Sequence, residues 1–368
     1  MRGIARLAQE LGISAGTVSR ALNGKPDVNE KTRSRVLEAA QRLGYAPNQA
    51  ARSLAQGVTQ SIGFMMELDR ESAVSNDYFF MGVFDGMQSV LAHHGLDLLV
   101  LPCARHQDRY AYLERFVSRS TLDGIVLATT QHVDKRIEFL QSAGVPFVTL
   151  GRSSTGHGYS WIDLDFETAM TTVFSRLVAK GHRRIAIALP RDDVNYGTIY
   201  KQAYLDNLER HGIEFDPSIV FHTHRSEDAA TRIVDEILAN PIQPTAALLI
   251  YEVTVIGVYR RLRDLGLEPG RDLAIVGFRD EPTLRFLSPS VTCFHLSLSD
   301  LGVSLAGALL AQIPAYAKSF KQGIVQALTP MTLKAGESDV FGPNPAMQQR
   351  PLQRRQAAGV RDPIVLKD

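Results

Sequence analysis

Residues 4–23, read together with residues 45–57, constrain this chain more than any other stretch. IARLAQELGISAGTVSRALN places Ile4, Leu7, Ala8 and Leu11 at i, i+3, i+4 and i+7, one face of a helix. Gly12 supplies the positive φ that ends it, Ile13 turns inward, and Ser14 caps a second helix. In that second helix Val18, Ala21 and Leu22 form the inner side, which leaves Ala15, Gly16, Thr17, Ser19 and Arg20 outside. Such an outer face suits a DNA groove. Short side chains permit close approach, hydroxyls bond phosphates, and an arginine grips guanine. A third helix is capped by Asn29, with Val28 as its staple. It carries Val36, Leu37, Ala40 and Leu43 as an apolar stripe and stops at Gly44. Three helices this short bury little surface, so the head is marginal alone and steadied by DNA.

YAPNQAARSLAQG (45–57) joins this unit to a larger body. Pro47 starts the segment, and Asn48 caps a short helix that stops at Gly57. Leu54 is an isolated large apolar side chain there. Two readings fit it: contact with the body, or a wedge between base pairs in the minor groove.

Charge supports a division of labour. Net charge is +1, but residues 1–60 hold nine Lys+Arg (2, 6, 20, 25, 31, 33, 35, 42, 52) against four acids (10, 27, 30, 38). The head is therefore 9 − 4 = +5, and the remainder (40 − 9) − (39 − 4) = −4. A basic head on a mildly acidic body attracts phosphate at one end only.

TVSRALNGKPDVNEKTRSRVLEAAQRLGYAPNQAARSLAQG resembles the head and hinge of the LacI/GalR family of bacterial repressors, and the match runs over residues 4–57. The resemblance implies that Ala15, Gly16 and Arg20 read bases. It puts Ser14, Thr17, Ser19, Asn23, Asn29, Thr32 and Tyr45 at phosphate-contacting or head-packing positions. It assigns Asn48, Ala51 and Leu54 to the hinge, with Leu54 at the wedge. Ala15 and Gly16 offer almost no hydrogen bonding, so Arg20 and the hinge carry much of the discrimination. The implied partner is a near-palindromic duplex operator held by a homodimer.

After Gly57 the texture changes. Apolar runs at 62–68, 96–101, 124–129, 146–151, 184–189, 218–223, 246–251 and 273–278 predict strands. Helices are expected between them at 79–94, 109–118, 134–143, 166–180, 200–211, 228–239 and 253–265. Continuous apolar strands alternating with helices predict parallel sheets covered on both faces. The pattern restarts near residue 165. The fold class expected is an all-α helix-turn-helix head plus an α/β periplasmic-binding-protein-like body of two doubly wound parallel-sheet subdomains. Its boundaries are head 1–46, hinge 47–60 and body 61–337. The body's subdomains are about 61–162 and 163–292, with crossovers after 292. Residues 338–368, rich in Pro, Gln and Arg, read as a disordered tail.

In such sheets ligands bind beyond the carboxyl ends of the strands. Those ends carry Asp69, Tyr78, Phe79, Arg152, Asp163, Asp165, Asn195, Tyr196, Tyr200, Tyr251, Glu252, Arg279 and Asp280. Planar polar groups grip hydroxyls and aromatic rings cover C–H faces, so a hydroxyl-rich, sugar-like effector is expected, with a purine or nucleoside as the alternative. Other readings compete at particular positions: Asp163 and Asp165 as helix caps, Tyr200 as core, Asp280 as a solvated loop charge. The family's pattern breaks here as well. Its arginine within NYGTIYKQAY is absent, its Asn-Asp pair reads Tyr251-Glu252, and its aspartate after VGF reads Arg279.

Other classes are disfavoured. There is no G-x-G-x-x-G after a strand, no G-x-x-x-x-G-K-[ST], no G-x-S-x-G and no zinc-type histidine spacing. No catalysis, cofactor or metal is therefore expected. Cys103 and Cys293 have no redox spacing and read as buried thiols of a cytoplasmic protein. No signal sequence opens the chain, and no apolar run approaches the roughly 20 residues a membrane span needs.

Overall fold

The computed structural model describes residues 4–22, 27–45, 58–68, 73–104, 106–191 and 193–345. Asn23, the hinge residues Asn48, Ala51 and Leu54, the cleft candidate Asp69 and residues 346–368 lie outside these. The head and the body are separate compact units.

In the head, α1 (Ile4–Leu11), α2 (Ala15–Leu22) and α3 (Glu30–Arg42) enclose Leu7, Val18, Ala21, Val28, Val36, Ala39 and Ala40. Gly12 and Gly44 take φ of 66° and 59°, as the helix stops require. Ser14 Oγ accepts from the Thr17 amide at 3.0 Å, and Asn29 Oδ1 from the Thr32 amide at 2.8 Å. Leu37, expected in the apolar stripe of α3, is exposed. Ala39 is buried in its place.

Among the described residues the body holds two six-stranded sheets. The first runs β11-β5-β4-β3-β1-β2, from β1 (Ser61–Leu68), β2 (Asp97–Ala104), β3 (Gly124–Leu127), β4 (Phe147–Leu150), β5 (Ser160–Leu164) and β11 (Gln326–Thr329). The second runs β12-β10-β9-β8-β6-β7. It comprises β6 (Ile185–Pro190), β7 (Val220–Thr223), β8 (Ala246–Leu249), β9 (Ala274–Arg279), β10 (Thr292–His295) and β12 (Thr332–Lys334). All pairings are parallel except β10 with β12. Helices α4 (Ala73–His93), α5 (Arg109–Val117) and α6 (Lys135–Ser142) connect the first sheet. Helices α7 (Phe166–Ala179), α8 (Asn195–Arg210), α9 (Glu227–Ala239) and α10 (Glu252–Asp264) serve the second.

The chain passes between the two halves three times: from β5 into α7, from β10 into α11 (Leu298–Leu310), and from β11 to β12. α11 returns to the first half and lies against α4 so closely that only glycine fits at the crossing. A Cβ on Gly86 would meet the Ser299 carbonyl oxygen at 1.9 Å, and one on Gly302 the Val83 oxygen at 2.1 Å.

Residues 338–345, expected in the tail, belong to the body instead. Ser338 and Asp339 are fully buried, and Asp339 anchors the chain to α7. Its carboxylate accepts from Arg176 Nη2 at 3.0 Å, Thr292 Oγ1 at 2.6 Å and Lys180 Nζ at 3.2 Å. Compositional bias marked the segment as loose, but a buried carboxylate with three donors overrides it.

Candidate functional site: an exposed helix face and a charged cleft

On α2, Ser14, Ala15, Gly16 and Arg20 are exposed, with Thr17 and Ser19 partly so. Arg20 Nε lies 3.4 Å from the Asp27 carboxylate. Ser14 Oγ and Thr17 Oγ1 are 2.9 Å apart, so the capping hydroxyl also orients its neighbour. Tyr45 packs against the head core, and its amide bonds to the Ala40 carbonyl at 2.8 Å. Thr32 is half-buried, while Asn29 is exposed.

The body's cleft lies where the two parallel sheets turn their carboxyl ends toward each other. The first half contributes Glu67 at the end of β1, Thr129 and Thr130 after β3, Gly151 after β4 and Asp163 in β5. The second contributes Val194 and Tyr196 after β6, Arg225 after β7, Tyr251 and Glu252 after β8, and Arg279 at the end of β9. Phe79, Phe80, Phe166 and Phe278 line it as well. Phe166 stacks on Phe278 with centroids 5.0 Å apart and lies nearly parallel to Tyr196 at 6.1 Å, which makes a flat aromatic shelf.

Two guanidinium groups lie over aromatic rings here: Arg225 over Tyr251 at 4.6 Å and Arg279 over Phe79 at 4.3 Å. Burial works against the Arg225 charge, but the nearby Glu252 carboxylate and a hydrogen bond with Tyr196 favour it. Burial pulls Arg279 down against the pull of Glu281, which accepts a hydrogen bond from it. Burial also drives the Tyr251 phenol far above its ordinary range, so it stays a neutral hydroxyl, 3.2 Å from Tyr196 Oη. Glu252 is 8% exposed, and its Oε1 has no hydrogen-bond partner. A buried carboxylate oxygen in that state is a strong acceptor waiting for a donor.

Of the residues expected at the cleft, Phe79, Asp163, Tyr196, Tyr251, Glu252 and Arg279 line it. The others do different work. Asp165 caps α7, accepting from the Thr168 amide at 3.0 Å. Tyr200 is buried in the core, edge-on to Phe278, because α8 starts at Asn195 and not at residue 200. Tyr78 is exposed, one residue round the helix from Phe79. Arg152 turns away into ion pairs with Asp163 at 2.8 Å and Glu167 at 3.0 Å. Asn195 is buried beside the cavity without lining it. Asp280 is neither a ligand contact nor a solvated charge. Lys334 holds it at 3.0 Å, with Arg285 and His295 near. Arg225, Glu67 and Thr130 were missed. Arg225 sits in the polar run HTHRS, where nothing local distinguishes it from a surface charge.

Burial pushes the Cys293 thiol up to about 12 and raises Cys103, which keeps both unreactive. Among the described residues no cluster of His, Cys, Asp and Glu can hold a metal, and no helix is long and apolar enough to cross a membrane.

Known proteins bear on both units. Residues 1–48 match the family described as bacterial regulatory proteins, lacI family, and residues 174–338 match a periplasmic binding protein-like domain. The chain is 32% identical over 308 residues to the HTH-type transcriptional regulator AglR of Rhizobium meliloti (strain 1021), covering 83% of this chain and 85% of that protein. It is 34% identical over 268 residues to the HTH-type transcriptional regulator RafR of Escherichia coli, covering 72% and 78%. The lac repressor dimer bound to operator and the anti-inducer ONPF superposes with a TM-score of 0.78 at 22% identity, over 90% of this chain and 97% of that one. A transcriptional regulator CelR–cellobiose complex superposes with a TM-score of 0.68 at 24% identity, over 92% and 100%. With a helix-turn-helix head, paired parallel sheets and this extended identity, the chain belongs to the lacI family of bacterial regulatory proteins and is a DNA-binding transcriptional regulator, not an enzyme.

Proposed function

We propose that the protein is a homodimeric repressor whose grip on a near-palindromic operator is altered by a neutral, hydroxyl-rich sugar bound in the body's cleft. The outer face of α2 enters the major groove, with Ala15 and Gly16 permitting close approach and Arg20 reading a base. Ser14, Thr17 and Ser19 face the phosphates, and the hinge, with Leu54 as wedge, supplies the minor-groove contact. Effector and DNA favour different arrangements of the two halves, so each weakens or strengthens the other's binding by the same factor. The described forms of two solved relatives, a repressor dimer on operator and a regulator with cellobiose, support both the partner and the ligand class.

The observation that carries the ligand class is the Glu252 oxygen without a partner, set beside a flat aromatic shelf. A sugar supplies both complements, a hydroxyl donor and an apolar C–H face. Arg225 lies near Glu252 and Arg279 donates to Glu281, so each cation already has an acidic neighbour without an anionic ligand. A thermal-shift panel of mono- and disaccharides against nucleosides tests this. A binder at 100 times its Kd adds about 2.7 kcal/mol. Glu252→Gln removes a charged acceptor worth about 1.5–3 kcal/mol, weakening that sugar roughly 10- to 150-fold. Stabilisation by nucleosides alone would reverse the assignment.

A further inference from the structure

We propose that Asn195 is a positioning residue that clasps the two halves of the body beside the cleft. It opens α8 on the second half, yet three of its four polar groups bond to the first half. Its backbone N–H donates to the Thr130 carbonyl at 2.8 Å. Its Nδ2 donates to the Arg152 carbonyl at 2.6 Å, and its Oδ1 accepts from His132 Nδ1 at 2.9 Å. The directions are fixed: Nδ2 faces a carbonyl, so Oδ1 is the acceptor and His132 must carry its hydrogen on Nδ1. The residue is 5% exposed, so these bonds are sheltered from water.

The surface it grips is knit together independently. Thr130 Oγ1 donates to the same Arg152 carbonyl at 3.0 Å, and Ser153 Oγ donates to the His132 carbonyl at 2.9 Å. The clasp therefore holds one rigid pad, not a loose loop. Thr130 lines the cleft, as do Val194 and Tyr196 on either side of Asn195, while Asn195 itself does not. It acts on the ligand through these neighbours, by fixing the spacing of the two halves that line the cleft. A spacing set in advance by these bonds spares the ligand that part of the conformational cost. This rests on the proposed function only for what fills the cleft.

Hydrogen exchange read by mass spectrometry on the full-length, ligand-free protein tests the clasp, with emission from Trp161 as a second signal. Trp161 is the sole tryptophan and its ring lies 5.6 Å from the Arg152 guanidinium. Asn195→Ala is expected to speed exchange across residues 193–199 by about tenfold or more, the scale of a lost buried hydrogen bond, and to alter Trp161 emission. Strands β3 and β6 should keep their protection. His132→Ala, which leaves two of the bonds, should give a smaller effect, and His132→Gln, which retains an N–H donor, should restore protection. Unchanged exchange at 193–199 in Asn195→Ala overturns the proposal, as does acceleration shared equally with the strands. If Asn195→Ala does not fold, an unchanged His132→Ala overturns it alone. A panel in which no sugar binds, while this segment loses protection, defeats the effector reading and leaves the clasp intact.

Discussion

Arg20→Ala is expected to abolish a large part of operator preference while leaving general DNA attraction mostly in place. In the head, Arg20 is paired with Asp27 at 3.4 Å, and both side chains are more than half exposed (54% and 58%). Such a pair contributes at most about 1 kcal/mol. A bidentate contact to guanine contributes about 1–3 kcal/mol of base discrimination. Exchanging Asp27 for guanine is therefore favourable, and Arg20→Ala should weaken specific binding about 5- to 150-fold. Asp27→Asn should act in the opposite direction. It frees Arg20 and removes a negative charge near the phosphates, tightening binding by up to about fivefold. Fluorescence anisotropy with the chain's own upstream duplex and a scrambled duplex, at several salt concentrations, measures both terms. If Arg20→Ala lost the same factor on both duplexes, with the salt slope shallower by about one, Arg20 would be a phosphate contact and the base-reading argument would fail.

Three further outcomes are expected. Burial alone would raise the Asp339 carboxyl, but hydrogen bonds from Arg176 and Thr292 outweigh it and hold the group below the usual carboxylate range. Its contribution is thus complete above the unfolded carboxylate pKa and lost as pH falls through the folded one. Asp339→Asn should cost about 2–4 kcal/mol in urea unfolding at neutral pH, less than a fully buried pair because Arg176 and Lys180 can rehydrate. Its stability should also fall less steeply in acid than that of the wild type. Gly302→Ala puts a methyl against the Val83 backbone, which cannot swing aside, so α4 and α11 must part. A loss of about 1–3 kcal/mol or more should appear as a lower Tm. Leu54→Ala should reduce operator affinity and operator bending in circular-permutation gels, and unchanged bending would remove the wedge.

The head was readable because its signals are local. Ser14 and Asn29 cap helices through bonds three residues away, and Gly12 and Gly44 end them by their own backbone angles. The body's central strands were readable as well, since being covered on both faces makes each a short apolar run. Other elements left no such trace. β5 carries Trp161 and Asp163 within a mixed run, while β11 and β12 are edge strands with alternating exposure. α11 is apolar nearly all round, because α4 covers one side and β3, β4 and β5 the other, so it lacks the one-sided period that identifies a helix. At the cleft, strand ends pointed to the right neighbourhoods, but one turn of helix decides whether Tyr196 lines the cavity or Tyr200 joins the core. Arg225 and Asn195 owe their positions to contacts with residues far away in sequence, which no window of neighbours contains.

The triple passage of the chain between the halves has a consequence for biosynthesis. The first sheet lacks its outer strand β11, and the α4 seam lacks its partner α11, until residues 298–329 have been made. The second sheet waits for β12, at residues 332–334. Neither lobe has its full set of strands until residues 326–334 have been made. A nascent chain halted near residue 295 would present two unfinished edges at once, so quality control should treat the body as one all-or-none unit.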